Sequence, residues 1–456
     1  MTFGSLIDDS ADARVLQVVG HADLPQWLAA QRADVRGWLA EEGFTADAGQ
    51  VVRLPGGTPH YVAGLGDRGR WDWASLPGGL PPGSYRIVPE PEPVEADAAA
   101  LGWASACYEF DRYRSLAIPT LRRLRWPSAA NREKVTRELE AVLLVRDLVT
   151  TPANDLGPAE LCQAAVDLAA EFGAEVRTIV GDELLAENYP TIHAVGRASS
   201  RPPVMVDLRW GAPGDRKITI VGKGVCFDSG GLNTKTADSM LLMKKDMGGA
   251  AHALALARLI MAARLPVRLR MLIGAVENAI GGDAMRPLDI VRTRKGITVE
   301  IGHTDAEGRL VLSDLLAEGS TETPDLLIDF ATLTSAARIA LGPDLPAFFA
   351  NRDATAARLE HHAAATDDPL YRLPLWQRYR ADLVGGAADL RSVTGHTFGG
   401  AIYAALFLES FVGEECDWVH VDLFAWNRVA RPGRPAGGEA QTLRAVFALV
   451  EERAAA

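Results

Sequence analysis

From residue 158 onward, short runs of Val, Ile, Leu and Phe alternate with longer segments whose apolar residues recur at helical spacing, and this alternation restricts the chain to an α/β architecture. Strands are expected at 203–208, 218–221, 267–273, 298–301, 326–330 and 418–423. Helices are expected at 159–172, 248–263, 309–318, 401–411 and 442–451. Such a succession builds a central mixed, largely parallel sheet buried between helices. Composition changes near residue 127. The preceding part has short strand-like pieces and a proline-rich stretch, 77–93, containing Pro81, Pro82, Pro89 and Pro91, which is expected to lie outside regular core structure. It reads as a small α/β domain, 1–126. Val135, Leu139, Val142, Leu143 and Leu148 then mark a connecting helix over 131–149, ending before Thr151-Pro152, within a linker at 127–157. The larger α/β domain occupies 158–456.

Composition removes several function classes. With 456 residues and a net charge of −12, the chain is long enough for a sizeable core and is not built as a general nucleic-acid-binding surface. Its basic run is limited to Arg122-Arg123-Leu124-Arg125. The opening residues 1–9 lack a basic head and an apolar core, so no signal peptide is expected, and no stretch reaches membrane-spanning length. Cys107, Cys162, Cys226 and Cys416 show no paired spacing, which suits reduced core thiols in a cytoplasmic enzyme.

The chemistry-bearing residues gather where such a sheet places a site, beyond the carboxyl ends of its strands. Lys223 and Asp228 are expected in the loop after 218–221, with Lys235 nearby; Asp246 opens the helix that continues through Gly248 and Gly249. Asp305 and Glu307 lie between the strand 298–301 and the helix beginning at Arg309. Four carboxylates suit two divalent cations, which sit about 3.5–4 Å apart and need a bridging carboxylate. None of the nine histidines stands in His-Glu-x-x-His spacing, so a metal centre here rests on carboxylates. Lysine joins as a ligand only when neutral, and Lys223 is the candidate. Taken singly, Asp246 reads equally well as a helix cap and Arg309 as an ion-pair partner. Glycines 230, 231, 248 and 249 fit either close approach to metals or tight helix–sheet packing. The Gly-x-Gly-x-x-Gly pattern at 64–69 runs into prolines that leave no room for a dinucleotide-binding helix, so it reads as a turn.

The segments 221–231, 243–251 and 304–310, together with Thr151-Pro152-Ala153-Asn154 and Ala331-Thr332-Leu333-Thr334, resemble the signature blocks of the leucyl (cytosol) aminopeptidase family. The likeness is ordered and covers residues 130 to 450. It implies a metal-dependent exopeptidase acting on short peptides. One metal would be held by Asp228, Asp305 and Glu307 with the Asp305 carbonyl, and a second by Lys223, Asp228, Asp246 and Glu307. Zinc or manganese is implied, with magnesium or cobalt as alternatives. Lys235 would stabilise the developing gem-diolate, and Arg309 would hold a bicarbonate that takes the proton of the attacking water. Met243, His303, Thr332, Leu333 and Ser335 would contact substrate. His303 and Ser335 depart from the family's usual asparagine and glycine. The resemblance further implies a homohexamer. Two other readings remain, a different two-metal hydrolase such as a phosphoesterase and a DNA-binding or regulatory role, the latter disfavoured by the charge.

Overall fold

The computed structural model describes residues 6–56, 60–115 and 121–455. Residues 1–5, part of the opening stretch read above for a targeting segment, lie outside them. The chain forms two compact units, Met1–Leu143 with Asn427–Ala436, and Leu144–Trp426 with Gly437–Ala456. The division falls within the helix Arg132–Thr150 and not at the ends of the linker placed at 127–157. Its first half carries Val135, Leu139 and Leu143 into a cluster with Leu6, Ile7 and Trp126.

In the first unit a six-stranded sheet runs in the order Ile7–Asp8, Arg122–Arg125, Gly83–Val88, Arg14–Val19, Tyr61–Gly64 and Val51–Arg53. All its pairings are parallel except that of the last strand. The proline-rich stretch therefore departs from expectation, because Gly83–Val88 is an inner strand and its Tyr85 and Ile87 are core residues. The prolines flank that strand, where no ladder N–H is lost, and Pro93 opens the helix Pro93–Cys107, whose first N–H groups have no intrahelical partner anyway. The glycine pattern at 64–69 follows the strand Tyr61–Gly64 into a turn and a 3₁₀ segment, Asp72–Gly79.

In the second unit eight strands form one sheet, ordered Tyr371–Arg372, Ala347–Ala350, Trp418–Asp422, Leu326–Ala331, Arg216–Asp228, Val267–Asn278, Val204–Trp210 and Glu175–Val180. The four central strands are mutually parallel and antiparallel pairings lie to either side. Arg216–Asp228 is thirteen residues long, so Lys223 stands on the strand and Asp228 closes it, instead of both lying in a following loop. Gly222 hides this continuity in the sequence; it is glycine because a Cβ there would come 2.6 Å from Ala250 Cα on the helix Gly248–Ala262. Gly249 makes the reciprocal approach, with a Cβ position 2.1 Å from the Phe330 carbonyl oxygen, so close packing of helix on sheet accounts for it. Thr298–Glu300 stands outside this sheet, in a three-stranded one with Ile290–Arg292 and Leu390–Arg391. Among the described residues no helix is long and apolar enough to cross a membrane.

Candidate metal centre

The carboxyl ends of the central strands carry a buried corner of three side chains. Lys223 Nζ, from mid-strand, lies 2.7 Å from Asp246 Oδ2 and 2.9 Å from Glu307 Oε1, and donates to the Thr332 carbonyl at 3.1 Å. Asp246 comes from the 3₁₀ turn Met243–Met247, and Glu307 is the first residue of the helix Glu307–Gly319. Asp246 is thus not a helix cap: the cap position is Met247, and the Asp246 carboxylate faces Lys223 and the Thr332 hydroxyl. The stem of Lys223 lies across that helix start so closely that a Cβ at Gly308 would be 2.5 Å from Lys223 Cε.

Beside it is a second, looser corner. Lys235 Nζ sits 2.8 Å from Asp228 Oδ2 and also pairs with Asp305 Oδ1. Two carboxylates facing one gap require countercharge, and the Lys235 ammonium supplies it. Asp228 Oδ1 accepts from the Gly230 N–H at 2.9 Å and from Asn278 Nδ2 at 2.8 Å, and the same amide donates to the Thr304 carbonyl at 3.1 Å. Gly230, with φ +89°, and Gly231, with φ +63°, form the left-handed turn behind Asp228, tied down by the Thr304 hydroxyl bonding the Gly230 carbonyl at 2.6 Å. These two glycines serve the turn, not the helix packing of Gly249.

Crowded carboxylates in a dry site resist ionising together. Burial and then the charge of Asp228 push Glu307 up to about 8, and burial with Asp246 raises Asp228 to about 6. Lys223 feels the opposite balance, since Asp246, Glu307 and Asp228 outweigh burial and hold its pKa above the usual lysine range. Among these carboxylates alone it is an ammonium and not the neutral donor that ligation needs. The cluster nevertheless fits a metal. Ligand oxygens of Asp228, Asp305 and Glu307 lie within 4.8 Å of one another, and buried Glu307 Oε2 has no hydrogen-bond partner among the described residues. Arg309, also buried, donates from Nη1 to the Ser392 carbonyl at 2.5 Å, while its Nε–H has no acceptor among the described residues and burial lowers its pKa to about 10. A guanidinium with a spare buried N–H is suited to a small anion.

The pattern of the cytosol aminopeptidase family's catalytic domain matches residues 143–447, and that of the M17 aminopeptidase amino-terminal domain matches 15–127. The chain belongs to the cytosol aminopeptidase family. It is a metal-dependent aminopeptidase, a hydrolase of the leucyl aminopeptidase type. Peptidase B of Cronobacter sakazakii is 41% identical over 318 residues, 68% of this chain and 74% of that protein. The crystal structure of cytosol aminopeptidase from Coxiella burnetii aligns with a TM-score of 0.92 at 48% identity, covering 98% of this chain and 99% of that one. The bottromycin maturation enzyme BotP, solved in complex with Mn, aligns with a TM-score of 0.87 at 32% identity, over 98% of this chain and 100% of that one.

Within this aminopeptidase, the residues assigned to substrate are spread around the centre. Met243 is half-buried on the turn that carries Asp246. Leu333 is half-buried after the strand Leu326–Ala331, and Ser335 is exposed at the start of the helix Ser335–Leu341. Thr332 is differently placed, because its hydroxyl is engaged by Asp246. His303 is exposed and its Nδ1 accepts the Asp305 N–H at 3.2 Å, a local bond that an asparagine Oδ1 at this position also makes. Sequence reading missed Asn278 and Asn233. Asn278 ends a strand in register with Asp228, and Asn233 Oδ1 accepts the Thr304 N–H at 2.8 Å. Their only sequence signal is an amide beside a charged block.

Proposed function

We propose that this aminopeptidase removes amino-terminal residues from short peptides at a dinuclear centre, with Asp228, Asp305 and Glu307 holding one metal and Lys223, Asp228, Asp246 and Glu307 the other. The observation that carries the reading is buried, unpartnered Glu307 Oε2 within a cluster of carboxylate oxygens that lie within 4.8 Å of one another. Zinc or manganese suits this oxygen-rich donor set, and the Mn complex of the related BotP favours manganese. Two divalent ions held by these residues would supply Lewis-acid polarisation of the scissile carbonyl, acidification of water and a ligand position for the substrate's free α-amine. Beside such cations Lys223 would lose the charge balance that keeps it protonated and could serve as a neutral donor. With the carboxylates neutralised by metal, Lys235 is available to donate to the carbonyl oxygen as negative charge develops. Arg309, through its unpartnered Nε–H, would hold a bicarbonate, which would supply the base that a guanidinium cannot be. The enzyme works in the cytoplasm as a homohexamer, a closed symmetric assembly that favours short peptides over folded proteins.

Exhaustive chelation is expected to abolish cleavage of leucyl dipeptides, and zinc, manganese or cobalt to restore it, while peptides with a blocked amino terminus stay intact. Asp228→Ala should purify with less than the wild-type complement of metal, measured by elemental analysis. Full turnover by rigorously metal-depleted protein, or a full metal complement in Asp228→Ala, would overturn the reading. Light scattering checks the assembly, and a fully active monomer would contradict it.

A further inference from the structure

The strand Trp418–Asp422 ends beside the point where Leu326–Ala331 gives way to the loop 332–334, with Ala331 and Asp422 in register. Three donors of that loop converge on the buried Asp422 carboxylate. Oδ1 accepts the Leu333 N–H at 3.0 Å and the Thr334 N–H at 3.1 Å, and Oδ2 accepts the Thr334 hydroxyl at 2.5 Å. The loop so held presents Thr332 to the centre with both its polar groups in use. The Thr332 hydroxyl lies 2.8 Å from Asp246 Oδ1 and 2.9 Å from the Asp246 carbonyl, and its own carbonyl accepts Lys223 Nζ at 3.1 Å.

We infer that Asp422 is a positioning residue for the metal centre, fixing through the loop 332–334 the orientations of Asp246 and Lys223. The inference rests on the dinuclear reading above, which uses those two residues as donors. A carboxylate is needed at 422 because all three groups facing it donate. Thr334 Oγ1 also accepts the Ala337 N–H at 3.1 Å as cap of the helix Ser335–Leu341, so its hydrogen has to go to Asp422. An asparagine there offers one acceptor oxygen, and its NH₂ group would meet a hydroxyl that still needs an acceptor. The loop would then turn, and Thr332 with it. Buried partners that orient metal-binding side chains in this way typically change metal affinity or activity by about 10–100-fold when replaced.

The test is manganese affinity, read by titration calorimetry on full-length protein, together with kcat and KM for a leucyl dipeptide. Asp422→Asn and Thr332→Val are each expected to weaken manganese binding and lower kcat by about 10–100-fold. Because they interrupt one path, the double variant should be little worse than the poorer single one. Manganese affinity and kcat of Asp422→Asn within about twofold of wild type would overturn the inference even with a lowered melting temperature, and so would additive effects of the two substitutions. If Asp422→Asn does not fold, Thr334→Val, which removes only the hydroxyl donor, is judged by the same criteria. Asp228→Ala separates the two levels: retention of its metal defeats the dinuclear reading, whereas metal loss there beside unchanged affinity in Asp422→Asn defeats only the role of Asp422.

Discussion

Two buried charge clusters lie toward opposite ends of the strand Val267–Asn278, and they are built on different terms. Near its start, Arg270 Nη2 lies 2.7 Å from Asp207 Oδ2 and pairs with Glu318, which Arg294 also grips. Glu322 takes Arg209 and Arg268, both at 2.6 Å. No buried oxygen of Asp207, Glu318 or Glu322 is without a partner among the described residues, and although burial opposes it, these guanidinium contacts hold Glu322 below the usual carboxylate range. Eight residues further along, a span of roughly 26 Å at strand rise, Asn278 reaches the other cluster. There Glu307 keeps an oxygen unpartnered, Arg309 keeps an N–H unpartnered, and Asp228 and Glu307 are pushed above their ordinary values. The network around Arg270 closes on itself. The one at the metal centre is left open, and its carboxylates are less comfortable for it.

That contrast can be broken most forcefully at Arg270. Arg270→Ala removes the guanidinium that joins Asp207 and Glu318, leaving them only Arg209 and Arg294, and is expected to cost about 3 kcal/mol of stability in denaturant unfolding, while kcat/KM of the folded enzyme is unchanged. Lost activity at intact stability would mean that this cluster also serves catalysis. Lys235→Ala is the converse case: kcat should fall by about 10²–10³, equivalent to losing one oxyanion donor, with both metals retained and the melting temperature nearly constant. Loss of metal from this variant would reassign Lys235 as a ligand partner.

A smaller effect sharpens the electrostatics. In chelated protein the folded-state pKa of Glu307, about 8, exceeds its ordinary 4.5, so the native state holds a proton that the unfolded chain has released. Its contribution is full below pH 4.5 and declines as pH rises toward 8. Metal-free wild type should therefore lose stability across that window more steeply than metal-free Glu307→Gln, and parallel melting curves for the two would refute the raised value. The least change is expected of His303→Asn. Asparagine keeps an acceptor for the Asp305 N–H, so activity should persist, with a shifted preference across a dipeptide panel; identical specificity constants would confine His303 to its own loop.

Apolar strands such as Leu326–Ala331 were legible because burial on both faces writes continuous hydrophobic runs. The length of Arg216–Asp228 was not, since Gly222, Lys223 and Gly224 look like punctuation until the helix resting on Gly222 is known. The strand Glu175–Val180 escaped notice because it is polar and largely exposed at the sheet's edge, and Gly83–Val88 because prolines bracket it. At the site, the charged residues announced themselves as blocks. Asn278 and Asp422 did not, because their importance lies in what they hydrogen-bond, and a strand-ending Asn or Asp carries no mark of its partners. Thr298–Glu300 was found as a strand but assigned to the wrong sheet, a distinction that local pattern does not encode.

The side chains that meet around Lys223 come from positions 223, 246, 307 and 332, on four segments that touch only when the parallel strands have found their register. Such distant pairings form late, after long loops have closed. An emerging chain holds all four positions only after residue 332 has been made, and a collapsed but unregistered sheet would offer scattered carboxylates with ordinary acidities in place of one crowded pocket. Assembly of the pocket is therefore tied to strand register, so that the crowding which raises the acidities of Asp228 and Glu307 is a property of the completed sheet and not of any local segment.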